Sequence, residues 1–216
     1  MDFLRLLAAG RCGALDTFFS SLTYFGSEIA FMAAALLIFW CVDKRQGYYV
    51  FLVGALGTVC NQFLKLAFRI PRPWVLDPDF QIVEAARADA TGYSFPSGHT
   101  QNIVGTTASI FASRKEAWVR IVCVVLMLLV PFSRMYLGVH TPLDVGVAFL
   151  TALALAAALY PAFRTEAAAK KTVPWLLLGA AALCGGYLVY ASSLAPCDSP
   201  EGSEDHSNIT HVIKNA

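Results

Sequence analysis

The chain has 216 residues, 57% hydrophobic and 14% charged, with a mean hydropathy of +0.58. These values exclude an ordinary soluble domain and point to a bilayer. A net charge of +1, with basic residues scattered between apolar runs, gives no concentrated basic face, so no nucleic acid is expected as a partner.

In chain order, residues 1–20 come first, with Leu4, Leu7 and Leu15 interleaved with Arg5, Arg11 and Asp16. With acidic Asp2 and a single Arg ahead of the apolar run, they make a poor signal peptide, and 2–19 is predicted as one amphipathic, interfacial helix that stays in the protein. Six apolar runs follow, at 28–42, 48–68, 98–113, 117–137, 143–160 and 173–194. Each is a candidate to cross roughly 30 Å of hydrocarbon, although the first and third are short of the usual ~20 residues. Small residues recur within the runs, among them Gly54, Gly57, Gly105, Ala108 and Gly146, and allow close helix approach where lipid gives no hydrophobic drive. The expected fold is all-α: one polytopic membrane domain over 1–195, a helical bundle of about six transmembrane helices. It is followed by a polar tail, 196–216, predicted to be disordered and containing the glycosylation-like triplet Asn208-Ile209-Thr210.

Cys41, Cys60, Cys123 and Cys184 lie inside apolar runs and read as buried thiols. No C-x-x-C pair or His/Cys cluster is present, and only Cys12 and Cys197 lie near polar sequence where a bridge is open to them. The connections after the first, third and fifth runs carry Lys44 and Arg45, then Arg114, Lys115 and Arg120, then Arg164, Lys170 and Lys171. The positive-inside rule puts these in the cytoplasm and sends the termini and the long connection 69–97 to the extracytoplasmic or lumenal face.

Three polar clusters share that outer face: KLAFRIPRP from Lys65, PSGH from Pro96, and SRMYLGVHTPLD from Ser133. Each alone has a bland reading. R-x-P-R-P fits a charged turn in which prolines stop a helix. PSGH fits a helix start, and Thr141-Pro142-Leu143-Asp144 fits an N-cap, a first-turn proline and a first-turn acid. Together they assemble an anion site. Lys65, Arg72 and Arg134 offer cationic donors suited to phosphoryl oxygens, with Arg69 as a secondary candidate one turn after Lys65. Ser97, Gly98 and His99 open a helix whose free N–H groups and dipole attract an anion. Asp144 follows His140 by four residues, on the same face if the helix has begun, where it would orient the imidazole.

At these positions the sequence resembles the type 2 phosphatidic acid phosphatase superfamily, whose signature K-x6-RP, PSGH, SR-x5-H-x3-D is matched at every position. The resemblance covers 65–144 directly and extends through the span layout to most of the chain, leaving out the arm and tail. It implies a phosphatase in which His140 attacks phosphorus, Asp144 orients it and His99 protonates the leaving oxygen, while Lys65, Arg72, Ser97, Gly98 and Arg134 hold the phosphoryl group. No metal or other cofactor is implied. With two runs before Lys65 and an outward N-terminus, the layout is more similar to the glucose-6-phosphatase and dolichyl-diphosphatase branches than to lipid phosphatases with three.

A lipid substrate such as undecaprenyl diphosphate is the leading expectation, and a soluble sugar phosphate the alternative. The segment 69–97 is expected either to act as a lid that sets selectivity or merely to cap the bundle. The vanadium haloperoxidases share the motif set but are soluble. A non-catalytic lipid-binding membrane protein has no need of His99, His140 and Asp144 together. Oligomeric state is not legible.

Overall fold

The protein is described by a computed structural model over residues 1–193; the tail, Cys197 and the Asn208 triplet lie outside them. Helices form at all six expected runs: α3 (Glu28–Cys41), α4 (Lys44–Phe68), α6 (Gly98–Ser113), α7 (Ala117–Tyr136), α8 (Pro142–Phe163) and α9 (Glu166–Ser193). Two helices precede them, α1 (Asp2–Ala9) and α2 (Gly13–Thr23), and a short α5 (Pro73–Leu76) lies in the long connection.

Length and composition alone do not reach the expected count of six crossings. Four helical segments, containing α4, α7, α8 and α9, are long and apolar enough, and a fifth is possible if α2 and α3, bent by 52° at a 3-10 turn (Tyr24–Gly26), act as one broken span. The predicted single helix 2–19 is instead two helices interrupted at Gly10, and its second half runs on towards α3. Ser27 stops the turn and starts α3 by accepting a hydrogen bond from Ala30 N at 3.1 Å.

α6 is only 16 residues long, short for a crossing, and lipid is not what surrounds it. It is the central helix, packed against α3, α4, α7 and α8, so its neighbours rather than lipid surround it. Its buried residues include Thr100, Gln101, Asn102, Thr106, Thr107 and Ser109. Thr107 Oγ1 donates to Ile103 O at 2.6 Å and Ser109 Oγ to Gly105 O at 2.8 Å, which satisfies hydroxyls that lipid could not. Close contact also shapes the α3–α4 pair: a Cβ on Gly54 would overlap the Phe31 ring, so only glycine admits that ring.

The arm and the long connection pack together. Leu4 of α1, Phe19 of α2, Phe80, Ile82, Ala86 and Ala90 of the connection, and Tyr136, Leu137 and Val139 after α7 form one apolar cluster. Arg11 ties it from the helix break, donating through Nη1 to Gln81 O at 2.6 Å and through Nε to Tyr136 O at 3.0 Å. The cluster roofs the end of the bundle where α4 and α7 end and α6 and α8 begin.

Candidate active site

Four helix ends and one loop converge beneath that roof. α4 delivers Lys65 in its last turn, and the chain reverses at Arg69, the left-handed C-cap (φ 46°) whose N–H bonds back to Lys65 O. Arg69 itself is exposed and its Nε donates to Leu66 O at 3.2 Å, so the secondary candidate turns away from the site. Arg72 folds inward and is 5% exposed. It donates to three carbonyls of the surrounding loops: Thr91 O at 2.7 Å, Gly92 O at 2.9 Å and Val139 O at 3.0 Å. Its Nη1 also reaches His140 Nε2 at 3.0 Å. Charge-assisted bonds of this kind offset the desolvation of a buried guanidinium and fix its plane. Lys65 is held likewise, its Nζ donating to Tyr93 O at 2.7 Å.

Arg134, fully buried at 0% exposure, is used differently. One Nη1 bond goes to Thr23 Oγ1 at 2.8 Å, while Nε and Nη2 meet no acceptor among the described residues. His99, in the first turn of α6, likewise has a buried Nε2 without a partner. Lys65, Arg72, Gly98, His99, Arg134 and His140 line one cavity of about 440 Å³. Ser97 is placed otherwise. Its hydroxyl caps α6, accepting from Thr100 N at 3.4 Å and Thr100 Oγ1 at 3.0 Å, and its N–H donates to Asp144 O at 3.2 Å, so it builds the helix start and does not line the cavity.

His140 sits in the turn that Gly138 (φ 83°) makes possible between α7 and α8. Because a guanidinium only donates, His140 Nε2 must be the accepting nitrogen, which puts the proton on Nδ1. Nδ1 faces Asp144 Oδ2 at 3.6 Å, ion-pair range but longer than a hydrogen bond. Burial, and after it the charge of Arg72, holds His140 well below its ordinary value of 6.5, so the imidazole is neutral. Asp144 is also the acid of a capping box on α8, accepting from Thr141 N at 2.7 Å while its own N–H donates to Thr141 Oγ1 at 3.3 Å. Ser94 Oγ donates to the same Oδ2 at 2.6 Å.

Sequence reasoning missed Ser94 and Thr23. Neither belongs to a helix repeat or a charged cluster, and Thr23 lies 111 residues from the arginine it holds. It also missed the polar side chains lining the cavity below Lys65, which do carry a signal: Thr58, Asn61, Gln62 and Lys65 recur at helical spacing inside an apolar run. Among the described residues, no group of three or more His, Cys, Asp or Glu comes together as a metal set.

A cavity lined by inward-turned cations and two imidazoles, at one end of membrane-length helices, marks an integral membrane protein with a site whose chemistry suits an anion. The chain belongs to the PAP2 superfamily, whose profile matches residues 46–168. It is 34% identical over 132 residues to the undecaprenyl-diphosphatase BcrC of Bacillus subtilis (strain 168), a match covering 58% of this chain and 65% of that protein. It is 26% identical over 151 residues to an undecaprenyl-diphosphatase of Sulfolobus acidocaldarius, covering 69% of this chain and 71% of the relative. Among solved structures, Aquifex aeolicus LpxE superposes with a TM-score of 0.64 at 26% identity, over 73% of this chain and 92% of that one.

Proposed function

We propose that the protein is a metal-independent phosphatase that hydrolyses a lipid phosphate or diphosphate through a phosphohistidine, with a polyprenyl diphosphate such as undecaprenyl diphosphate as the leading substrate. The observation that carries this reading is the state of His140: a neutral, buried imidazole with its accepting Nε2 on the cavity side beside Arg72 and its Nδ1 towards Asp144.

In the first step His140 Nε2 attacks phosphorus, and the bond to the leaving oxygen breaks as His99, held as imidazolium by the negative charge of the bound phosphate, donates its proton to that oxygen and is left neutral. In the second, water attacks the phosphohistidine, releasing inorganic phosphate and returning His140, with His99 taking the water's proton. Lys65, Arg134 and the N–H groups of Gly98 and His99 stabilise the equatorial oxygens, while Arg72 Nη1 gives up its bond to His140 Nε2 as the phosphoryl group arrives, freeing the attacking lone pair and turning that N–H to a phosphoryl oxygen. Three cations supply the charge neutralisation that a metal gives elsewhere. The relatives named undecaprenyl-diphosphatases support the lipid substrate. The basic residues Lys44, Arg45, Arg114, Lys115 and Arg164 at the opposite end of the bundle support an extracytoplasmic site.

Protein purified in detergent with EDTA is expected to release phosphate from isoprenyl diphosphates ahead of phosphatidic acid and glucose 6-phosphate. His140→Ala is expected to lose turnover completely. Substantial residual turnover by that variant would remove His140 as nucleophile, and a strict metal requirement would contradict the mechanism.

A further inference from the structure

The cavity continues along α4 below the groups that handle the transferred phosphoryl. Gln101 and Asn102 of α6, on the facing wall, are engaged: Gln101 Oε1 accepts from Thr151 Oγ1 at 2.9 Å and Asn102 Nδ2 donates to Gly26 O at 3.3 Å. Asn61 of α4 is not. It is 4% exposed and lines the cavity, one helical turn before Lys65, yet its Nδ2 has no acceptor among the described residues. Its Oδ1 lies 4.0 Å from where a Cβ on Gly98 would stand, which sets the amide against the start of α6 and beside the phosphoryl cradle. A buried amide hydrogen without an acceptor is an arrangement that proteins retain where a ligand supplies one.

We propose that Asn61 is a substrate-binding residue whose Nδ2 donates to the non-transferred phosphate of a diphosphate ester, making it a determinant of diphosphate over monophosphate substrates. This rests on the phosphatase reading above. The chemistry of the neighbours selects this ligand. Among the buried unpaired groups of the cavity in the described residues, Asn61 Nδ2 and Nε and Nη2 of Arg134 can only donate and His99 Nε2 donates when protonated; Gln62 Oε1 is the one acceptor among them, and the carboxylates of Glu28 and Asp89 also line the cavity. Phosphate oxygens only accept and match these donors, whereas the simple lipid chain of a phosphomonoester presents nothing beyond its ester oxygen.

Farnesyl diphosphate and farnesyl phosphate share a chain and differ by one phosphate, so the ratio of their kcat/KM values isolates the second phosphate from any general loss of folding or catalysis. Wild-type protein is expected to favour the diphosphate. Asn61→Leu is expected to lower the ratio about tenfold or more, the worth of one hydrogen bond to a charged acceptor. Asn61→Asp, closest to Asn in shape, is expected to lower it further, because a carboxylate held ionised by Lys65 one turn away does not donate and repels the phosphate. An unchanged ratio in Asn61→Asp overturns the role of Asn61 while leaving the phosphatase reading intact. Wild-type protein that turns over neither substrate overturns the phosphatase reading and Asn61 with it.

Discussion

Asp144 Oδ2 receives Ser94 Oγ at 2.6 Å and Thr141 N at 2.7 Å and still lies 3.6 Å from His140 Nδ1. One oxygen therefore both starts α8 and faces the imidazole, and two substitutions separate these duties. Asp144→Asn keeps the shape and can keep the cap, so it is expected to reduce kcat by about two orders of magnitude or more with little change in thermal midpoint. Asp144→Ala is expected to lose activity similarly and also about 1 kcal/mol of stability through the lost cap. Phosphate release and thermal unfolding in detergent check the pair. With His140 as the proposed nucleophile, the acid limb of kcat/KM is expected to report His140, which is buried among Arg72, Arg134, His99 and Asp144. Its folded value is lowered, so protonation sets in only well below 6.5, and activity is expected to hold as pH falls through 6.5 and to decline further down. A limb centred at or above 6.5 would contradict a buried neutral imidazole. The charged members of this site were legible because burying Lys, Arg, His and Asp at span ends is expensive enough to need a common purpose. Ser94 was not, because a serine next to Phe95 and Pro96 looks like any loop serine until the fold brings Asp144 to it.

At the level of elements, the positions of the helices were legible from apolar runs, while the crossings were not. α6 is a short apolar run by its pattern and owes its burial to neighbours, and no periodicity reports what surrounds a helix. The arm was misread as one helix because its leucines repeat through the Gly10 break. What holds the break is Arg11, reaching Gln81 O and Tyr136 O, residues far away in the sequence. Arg11→Ala is expected to loosen the roof, raising hydrogen exchange across 77–90 while leaving the helices below protected. Equal exchange in the two proteins would show that the apolar cluster alone holds the roof. In the bundle, Gly54→Leu forces the Phe31 ring from α4 and is expected to destabilise by about 1–3 kcal/mol, read as a lower thermal midpoint.

For the whole molecule, charge divides the two ends. The cradle and its roof lie at one end, and Lys44, Arg45, Arg114, Lys115 and Arg164 lie at the other. In a background with the native cysteines replaced by serine, an impermeant thiol reagent added to intact cells is expected to label Asp79→Cys and spare Lys115→Cys. The reverse pattern would turn the protein over in the membrane and place phosphate release in the cytoplasm.

The polar, neighbour-wrapped α6 also constrains how the chain reaches the bilayer. A helix carrying Thr100, Gln101, Asn102, Thr106 and Thr107 partitions poorly from the translocon into lipid by itself. Only Arg114, Lys115 and Glu116 separate it from the strongly apolar α7, so the two can enter as a hairpin, with α7 drawing α6 inward until α4 and α8 close around it. On this account α6 depends on α7 to enter the bilayer, and trimming the apolar surface of α7 is expected to lower the yield of inserted protein, read by membrane fractionation.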